Sequence, residues 1–571
     1  VQHAIGEHAL LADGRTAALV DPGGNIAWLC WPRIDSAPCL LSILDDVVGG
    51  CFRVAPSDPA AVVVARDYVP GTLILRTVWR VGGDELTVLD ALAWDGEPRL
   101  LRSMSARGSV EVAVTLALAP DAALATARVA PHGHALRVTG GGLDVAVHAP
   151  GPWSADDAGV ATCLIRVGPE EAAVVLCGGG AVPSASLAAT RQWFAATVPA
   201  AAELRPNGLA VATLGESTAQ ELMRRSAVVL TALHQRGGGI VAAPTTSLPQ
   251  WPGGSRTWDY RYSWLRDTAL AGLGMLRLGL VANATALGDF LGAATVALPP
   301  AVLVRVDGTT PPEERTLAHL RGHGGARPVR IGNAASDQPQ LDVAGEVLEF
   351  AAALAARDVL PPALAAGVTR VADWTADHWT RADHGIWEIR GSPRRYTHSR
   401  VAAWAGLAHA ADLGARGVVR GDAERWRETA AAIRADVLRG EGALTLHDHG
   451  GGPDAALAQA VIFGLFDDGD ARADRTLDAI LTALDNDGLV ERHVPAEDSR
   501  SDPCAPFVFP TFWVAEALQR RGRDGSRQFA AAAASRGALG LFGEVADPVD
   551  HAPLGNYPQV QSHAAFVMAA G

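Results

Sequence analysis

The chain has 571 residues, 49% hydrophobic and 19% charged, the balance of a folded protein with more than one core. Its formal charge of −14 repels polyphosphates and anionic lipid, which argues against nucleic acid or a membrane as partner and for a neutral or cationic ligand. No lysine occurs anywhere, so a phosphate-loop lysine and a Schiff base to a carbonyl substrate or pyridoxal phosphate are excluded, while hydrolysis by carboxylates remains.

Residues 1–180 read as an antiparallel β-sandwich domain. Runs such as "VEVAVTLALAP", "ALRVTGGGLDVAVHAP" and "ATCLIRVG" are short, apolar or alternating, and are punctuated by Gly, Pro and Asp. The six cysteines (Cys30, Cys39, Cys51, Cys163, Cys177, Cys504) have no C-x-x-C spacing and are few for this length, which predicts free buried thiols and a cytoplasmic protein, with a disulfide among the first three as the alternative. The opening "VQHAIGEHAL" has neither the basic segment nor the apolar run of a signal peptide, and no apolar stretch is long enough to span a bilayer. Residues 181–215 read as a linker with one helix in "SASLAATRQWFAATV".

From residue 216 to 571 the period changes to three and four. Twelve helices are predicted, over 216–234, 260–279, 281–297, 336–357, 361–381, 397–415, 421–439, 454–466, 469–485, 507–521, 524–537 and 558–570, with Thr397 as a cap of the sixth. Connections after the even-numbered helices are short. Those after the odd-numbered ones are long and rich in Gly, Pro, Trp and His, the kind that carries function when it exceeds about 12 to 15 residues. Up-and-down helices with this alternation predict an (α/α)6 barrel with every long connection on one rim.

Three stretches on that rim carry the chemistry. In "GGSRTWDYRYSWLRDTAL", Trp258, Tyr260, Tyr262 and Trp264 interleave with Asp259, Arg261, Arg266 and Asp267, the mixture of aromatic faces and forked hydrogen-bonding groups that a pyranose requires; a surface ion pair at a helix start is the competing reading. In "HGIWEIRG", Glu388 stands between Trp387 and Ile389, which would desolvate it and favour the protonated form; a structural pair with Arg390 or Arg394 competes. In "GLFGEVADPVDHAPLGNYPQVQSH", Glu544, Asp547 and Asp550 read locally as an acidic loop, but the helix count puts Glu544 on the same rim as Glu388, as two carboxylates flanking a glycosidic bond would be. The spacing of His447, Asp448 and His449 is wrong for a helical metal site, no glycine run opens a nucleotide fold, and neither metal nor cofactor is expected.

Together these stretches, with "IGEHALLADGRTAALVDPGGNIAWLCWPRIDS", "RPVRIGNAASDQPQLD" and "YTHSRVAAW" in order, resemble glycoside hydrolase family 15, the glucoamylase family that also contains prokaryotic trehalases and isomaltose-releasing enzymes. The resemblance implies an inverting exo-hydrolase that releases β-glucose from the non-reducing end of short α-glucosides. It gives Glu388 as general acid and Glu544 as general base, with Arg266 and Asp267 on the hydroxyls of the terminal glucose. Tyr260 and Trp264 would line that subsite, with Trp387 and Arg390 beside the acid. Inversion requires about 6.5 to 9.5 Å between the two carboxyls to admit a water. Ser263, Val545, "QVQSH" and the insert "PAEDSRSDPCAPFVFPTFW" depart from the family text and are expected to reshape the subsite for the leaving sugar. The substrate is expected to be a maltose- or isomaltose-type glucoside, with trehalose as the alternative. A carbohydrate phosphorylase and a catalytically dead sugar-binding protein rank lower, and a homo-oligomer stays open.

Overall fold

In the computed structural model, residues 2–94, 96–179, 186–494 and 503–571 are described. The chain divides into two compact units. The first holds residues 1–200 with 231–236 and 317–329; the second holds 201–230, 237–316 and 330–571. Two short pieces inside the span 216–571 therefore fold with the first unit.

The first unit is built from antiparallel sheets. One has eight strands, and a four-stranded sheet of Trp153–Ala155, Ala161–Val167, Val110–Ala117 and Cys51–Pro56 packs on it, giving the β-sandwich. Strand pleating sets the packing: in Val110–Ala117, Val110, Val112, Val114 and Leu116 are buried while Glu111 between them is exposed. Within this core lies a fully buried ion pair. Arg102 bonds Asp90 through Nε at 2.8 Å and gives its other N–H groups to the carbonyls of Phe52 and Gly24, both at 2.7 Å. Removing either partner would strand a buried charge, at a cost of about 3–5 kcal/mol. The segment 317–329 joins this unit through Arg321, which bonds Asp45 and Asp46.

The second unit is the (α/α)6 barrel. Its helices are α1 Glu216–Leu233, α2 Leu265–Arg277, α3 Val281–Ala294, α4 Asp342–Ala355, α5 Pro362–His378, α6 Thr397–Ala415, α7 Ala423–Val437, α8 Ala458–Ile462, α9 Ala471–Leu484, α10 Val508–Arg520, α11 Ser526–Ala534 and α12 Val560–Ala570. Short links follow the even-numbered helices. Long ones follow the odd-numbered: 234–264, 295–341, 379–396, 438–457, 485–507 and 535–559. The last helix is buried on nearly all sides, as an all-round apolar sequence requires. Its Phe566 ring lies 5.5 Å from Phe512, 6.0 Å from Phe529 and 5.5 Å from Phe542, closing the ring of helices; Phe566→Ala would cost about 3–5 kcal/mol.

Two local expectations change. Thr397 is the first residue of α6 and does not cap it: the extended residue before the helix is Tyr396, and the Thr397 hydroxyl accepts from Arg400. Cys51 and Cys504 are half-buried, whereas the other four cysteines are buried. The start of the expected linker, 181–185, and residues 495–502 of the insert lie outside the described residues, while its helix spans Leu187–Thr197. Among the described residues, no helix is long and apolar enough to cross a membrane.

Candidate active site

The connection into α2 is fixed from beneath by buried groups. Arg261 and Asp259 form a fork at 2.7 and 2.9 Å, Tyr262 donates to Asp259 at 3.3 Å, and the amide of Gly332 donates to the same carboxylate at 3.1 Å. Asp259, Arg261 and Tyr262 thus brace the loop and do not face a sugar. Tyr260 and Trp264, whose rings meet edge to face at 5.5 Å, line a pocket with Arg266 and Asp267 from the first turn of α2.

Arg266 organises the buried end of this pocket. It reaches Asp267 at 3.2 Å, Asp342 at 3.3 Å, the side-chain Oε1 of Gln340 at 2.9 Å and Glu388 at 3.6 Å. Burial pushes the Asp267 carboxyl up to about 6, held back by the adjacent Arg266 guanidinium.

Glu388 sits in a tight turn with φ +55, a left-handed backbone that only a well-determined surrounding maintains in a non-glycine residue. Gly385 closes the turn by accepting from the Glu388 amide; a Cβ there would lie 2.8 Å from the Tyr396 ring. Trp387 and Ile389 line the pocket beside Glu388, but the groups within reach of its carboxyl are polar donors from elsewhere in the chain. Trp264 Nε1 donates to Oε1 at 2.6 Å and Gln340 Nε2 at 3.1 Å, with Arg266 behind them. The apolar enclosure expected from its neighbours in sequence is therefore corrected: the left-handed turn brings the acid to α2 and the 295–341 connection. The competing pair is also absent, since Arg390 bonds Glu314 and Arg394 bonds His447. Trp387 turns its indole N–H to Asp454 at 2.8 Å and stacks against Phe509, becoming a fixed wall.

Glu544 opens a hairpin in which Val545–Ala546 pairs with Pro553–Leu554. Its side chain is buried, with Oε1 accepting from the Tyr260 hydroxyl and Oε2 from Gln250 Nε2 at 2.8 Å. Burial pushes its carboxyl up to about 7, the two hydrogen bonds opposing the rise. Gly555 passes directly behind it at φ +73, where a Cβ would meet Oε2 at 2.9 Å.

The pocket so formed spans about 840 Å3 of atom-free space, part of it open to solvent. It brings together Glu388, Glu544, Tyr260, Trp264, Arg266, Asp267, Trp387 and Arg390. The two carboxyls are held by different donors and share no hydrogen bond.

Other expectations are corrected. Ser263 and Val545 are buried and do not line the pocket, whereas Gln561 of "QVQSH" does. Asp547 and Asp550 accept from the amides of Val549 and Ala552 and hold the hairpin loop. Asp448 is taken by Arg395 and Arg400, so the His447 stretch is an ion-pair cluster. Sequence reasoning gave no role to Gln250, Gln340, Asp342, Asp454 or Glu314. Gln250 lies in the connection that carries the Trp258–Asp267 motif, and Gln340 and Asp342 end the stretch "RPVRIGNAASDQPQLD", which was the available signal; Asp454 and Glu314 act by contacts that no spacing reveals.

This site lies in a barrel with known counterparts. Residues 217–571 match the sequence model of glycosyl hydrolases family 15, and residues 2–192 match that of a trehalase-like N-terminal domain. The chain belongs to glycosyl hydrolases family 15 and is an enzyme that hydrolyses glycosidic bonds. It is 31% identical to a trehalase of Mycobacterium tuberculosis over 626 residues, covering 99% of this chain and 89% of that one. It is 29% identical to trehalase 2 of Sulfolobus acidocaldarius, covering 98% of each. A bacterial glucoamylase crystallised with acarbose shares the fold with a TM-score of 0.70 at 13% identity, over 100% of this chain and 94% of that one.

Proposed function

We propose that this enzyme hydrolyses α,α-trehalose with inversion, using Glu388 as general acid and Glu544 as general base. The reading is carried by one observation: two carboxyls from distant parts of the chain line one pocket, each fixed by its own donors, with an Arg266–Asp267 pair at the buried end. The naming of the relatives supports trehalose over the maltose- and isomaltose-type substrates first expected.

One glucosyl ring enters the buried end, where Arg266 and Asp267 take its hydroxyls and Trp264 and Tyr260 bound its faces. With Oε1 of Glu388 held by Trp264 and Gln340, Oε2 faces the glycosidic oxygen and gives it a proton as the C1–O bond breaks. A water on the opposite face of C1 attacks, and Glu544 takes its proton. A base whose carboxyl titrates near 7 is matched to proton abstraction around neutral pH.

Separate incubation with trehalose, maltose and isomaltose tests the substrate. The expected kcat/KM on trehalose exceeds both others by about tenfold or more, roughly 1.4 kcal/mol in transition-state binding. A higher value on maltose or isomaltose would overturn the assignment.

A further inference from the structure

Beyond the paired acids, the pocket carries a second construction on its more exposed side. Arg266, at the glucosyl end, has a side chain only 6% exposed, whereas that of Arg390 is 31% exposed, so the pocket runs from Arg266 outward to Arg390. Arg390 stands two residues beyond the acid, on the side from which the leaving group must depart. Its guanidinium carbon lies 4.2 Å from the centre of the Trp258 ring, and that of Arg330 lies 4.5 Å from the same ring. One carboxylate joins the two cations: Glu314 accepts from Arg390 Nη1 at 2.9 Å and also from Nη2, and pairs with Arg330 Nε at 3.3 Å. Arg330 is anchored in turn to the Thr257 carbonyl and hydroxyl, both at 2.7 Å. Trp258 and Arg390 line the pocket; Glu314 and Arg330 do not.

We infer that Trp258 and Arg390, positioned by Glu314 and Arg330, form the subsite that receives the leaving sugar and sets the enzyme's preference for its linkage. An indole fixed by two guanidinium contacts is a rigid apolar part of the pocket wall, able to contact the leaving sugar without losing entropy on binding. Arg390, fixed by a bidentate carboxylate, keeps N–H edges for ring hydroxyls, and Glu314 cancels charge that a neutral sugar does not need. This account rests on the hydrolase reading of the site but not on trehalose as the sugar.

The test compares two substrates in the purified full chain: the preferred disaccharide, and α-D-glucopyranosyl fluoride, whose leaving group has no sugar ring. Trp258→Ala should lower kcat/KM on the disaccharide relative to the fluoride by about tenfold or more, mainly through KM, and Glu314→Gln should do so more weakly, because it acts through Arg390. Arg390→Lys serves as a milder variant, and fluoride turnover reports that each protein is folded. Parallel losses on both substrates, or an unchanged ratio in all three variants, would overturn the assignment. Should the wild type prefer maltose to trehalose, the trehalose reading fails, while this comparison runs on maltose with the same outcomes.

Discussion

Among single residues, Tyr260 links the two halves of the proposed chemistry. Its ring meets Trp264, which holds Glu388, and its hydroxyl bonds Glu544. That bond favours the carboxylate of Glu544 and opposes the rise to about 7 caused by burial. A general base works only when deprotonated, so the acid limb of kcat/KM should follow this group. Tyr260→Phe removes the bond and leaves the burial, so the Glu544 carboxyl rises further and the acid limb moves to higher pH. A pH–rate profile that keeps its limb in place, or moves it to lower pH, would separate Tyr260 from the base. In the same profile Glu544→Gln should abolish the limb and lower the rate by about 10²–10⁴-fold.

Elements show what sequence patterns can and cannot deliver. The helices of the barrel were legible because each must bury an apolar stripe, and the observed α6, Thr397–Ala415, coincides with its predicted span. Loops follow no such period. Sequence reading gave no role to Gly385 or Gly555, yet each marks a place where the backbone presses on another side chain. Gly555→Ala should displace the Glu544 carboxylate and lower kcat by about tenfold or more, besides the roughly 1–2 kcal/mol of left-handed strain. Gly464, at φ +76 with open space around it, supplies the control: Gly464→Ala should lose comparable stability and keep its activity. Equal kinetic effects of the two substitutions, measured with thermal unfolding alongside, would show that contact with the base is not the cause.

At the scale of the whole molecule, the charge and the missing lysines narrowed the chemistry, and motif order gave the family. The meeting of Glu388 and Glu544 in one pocket was legible because helix counting places two distant loops on one rim. Its supporting groups were not, since Gln250 and Glu544 meet across 294 residues and Gln340 and Glu388 across 48. The inclusion of 317–329 in the first unit was equally hidden, because it depends on Arg321 meeting Asp45. The central claim, that one acid protonates the leaving oxygen while the other activates a water across the sugar, has a direct readout in the stereochemistry of the first turnovers. Proton NMR of freshly hydrolysed trehalose should show β- and α-glucose appearing in equal amounts before mutarotation, the β anomer from the attacked ring and the α anomer from the leaving one. Release of α-glucose alone would mean retention and would contradict the assignment of Glu544 as a base.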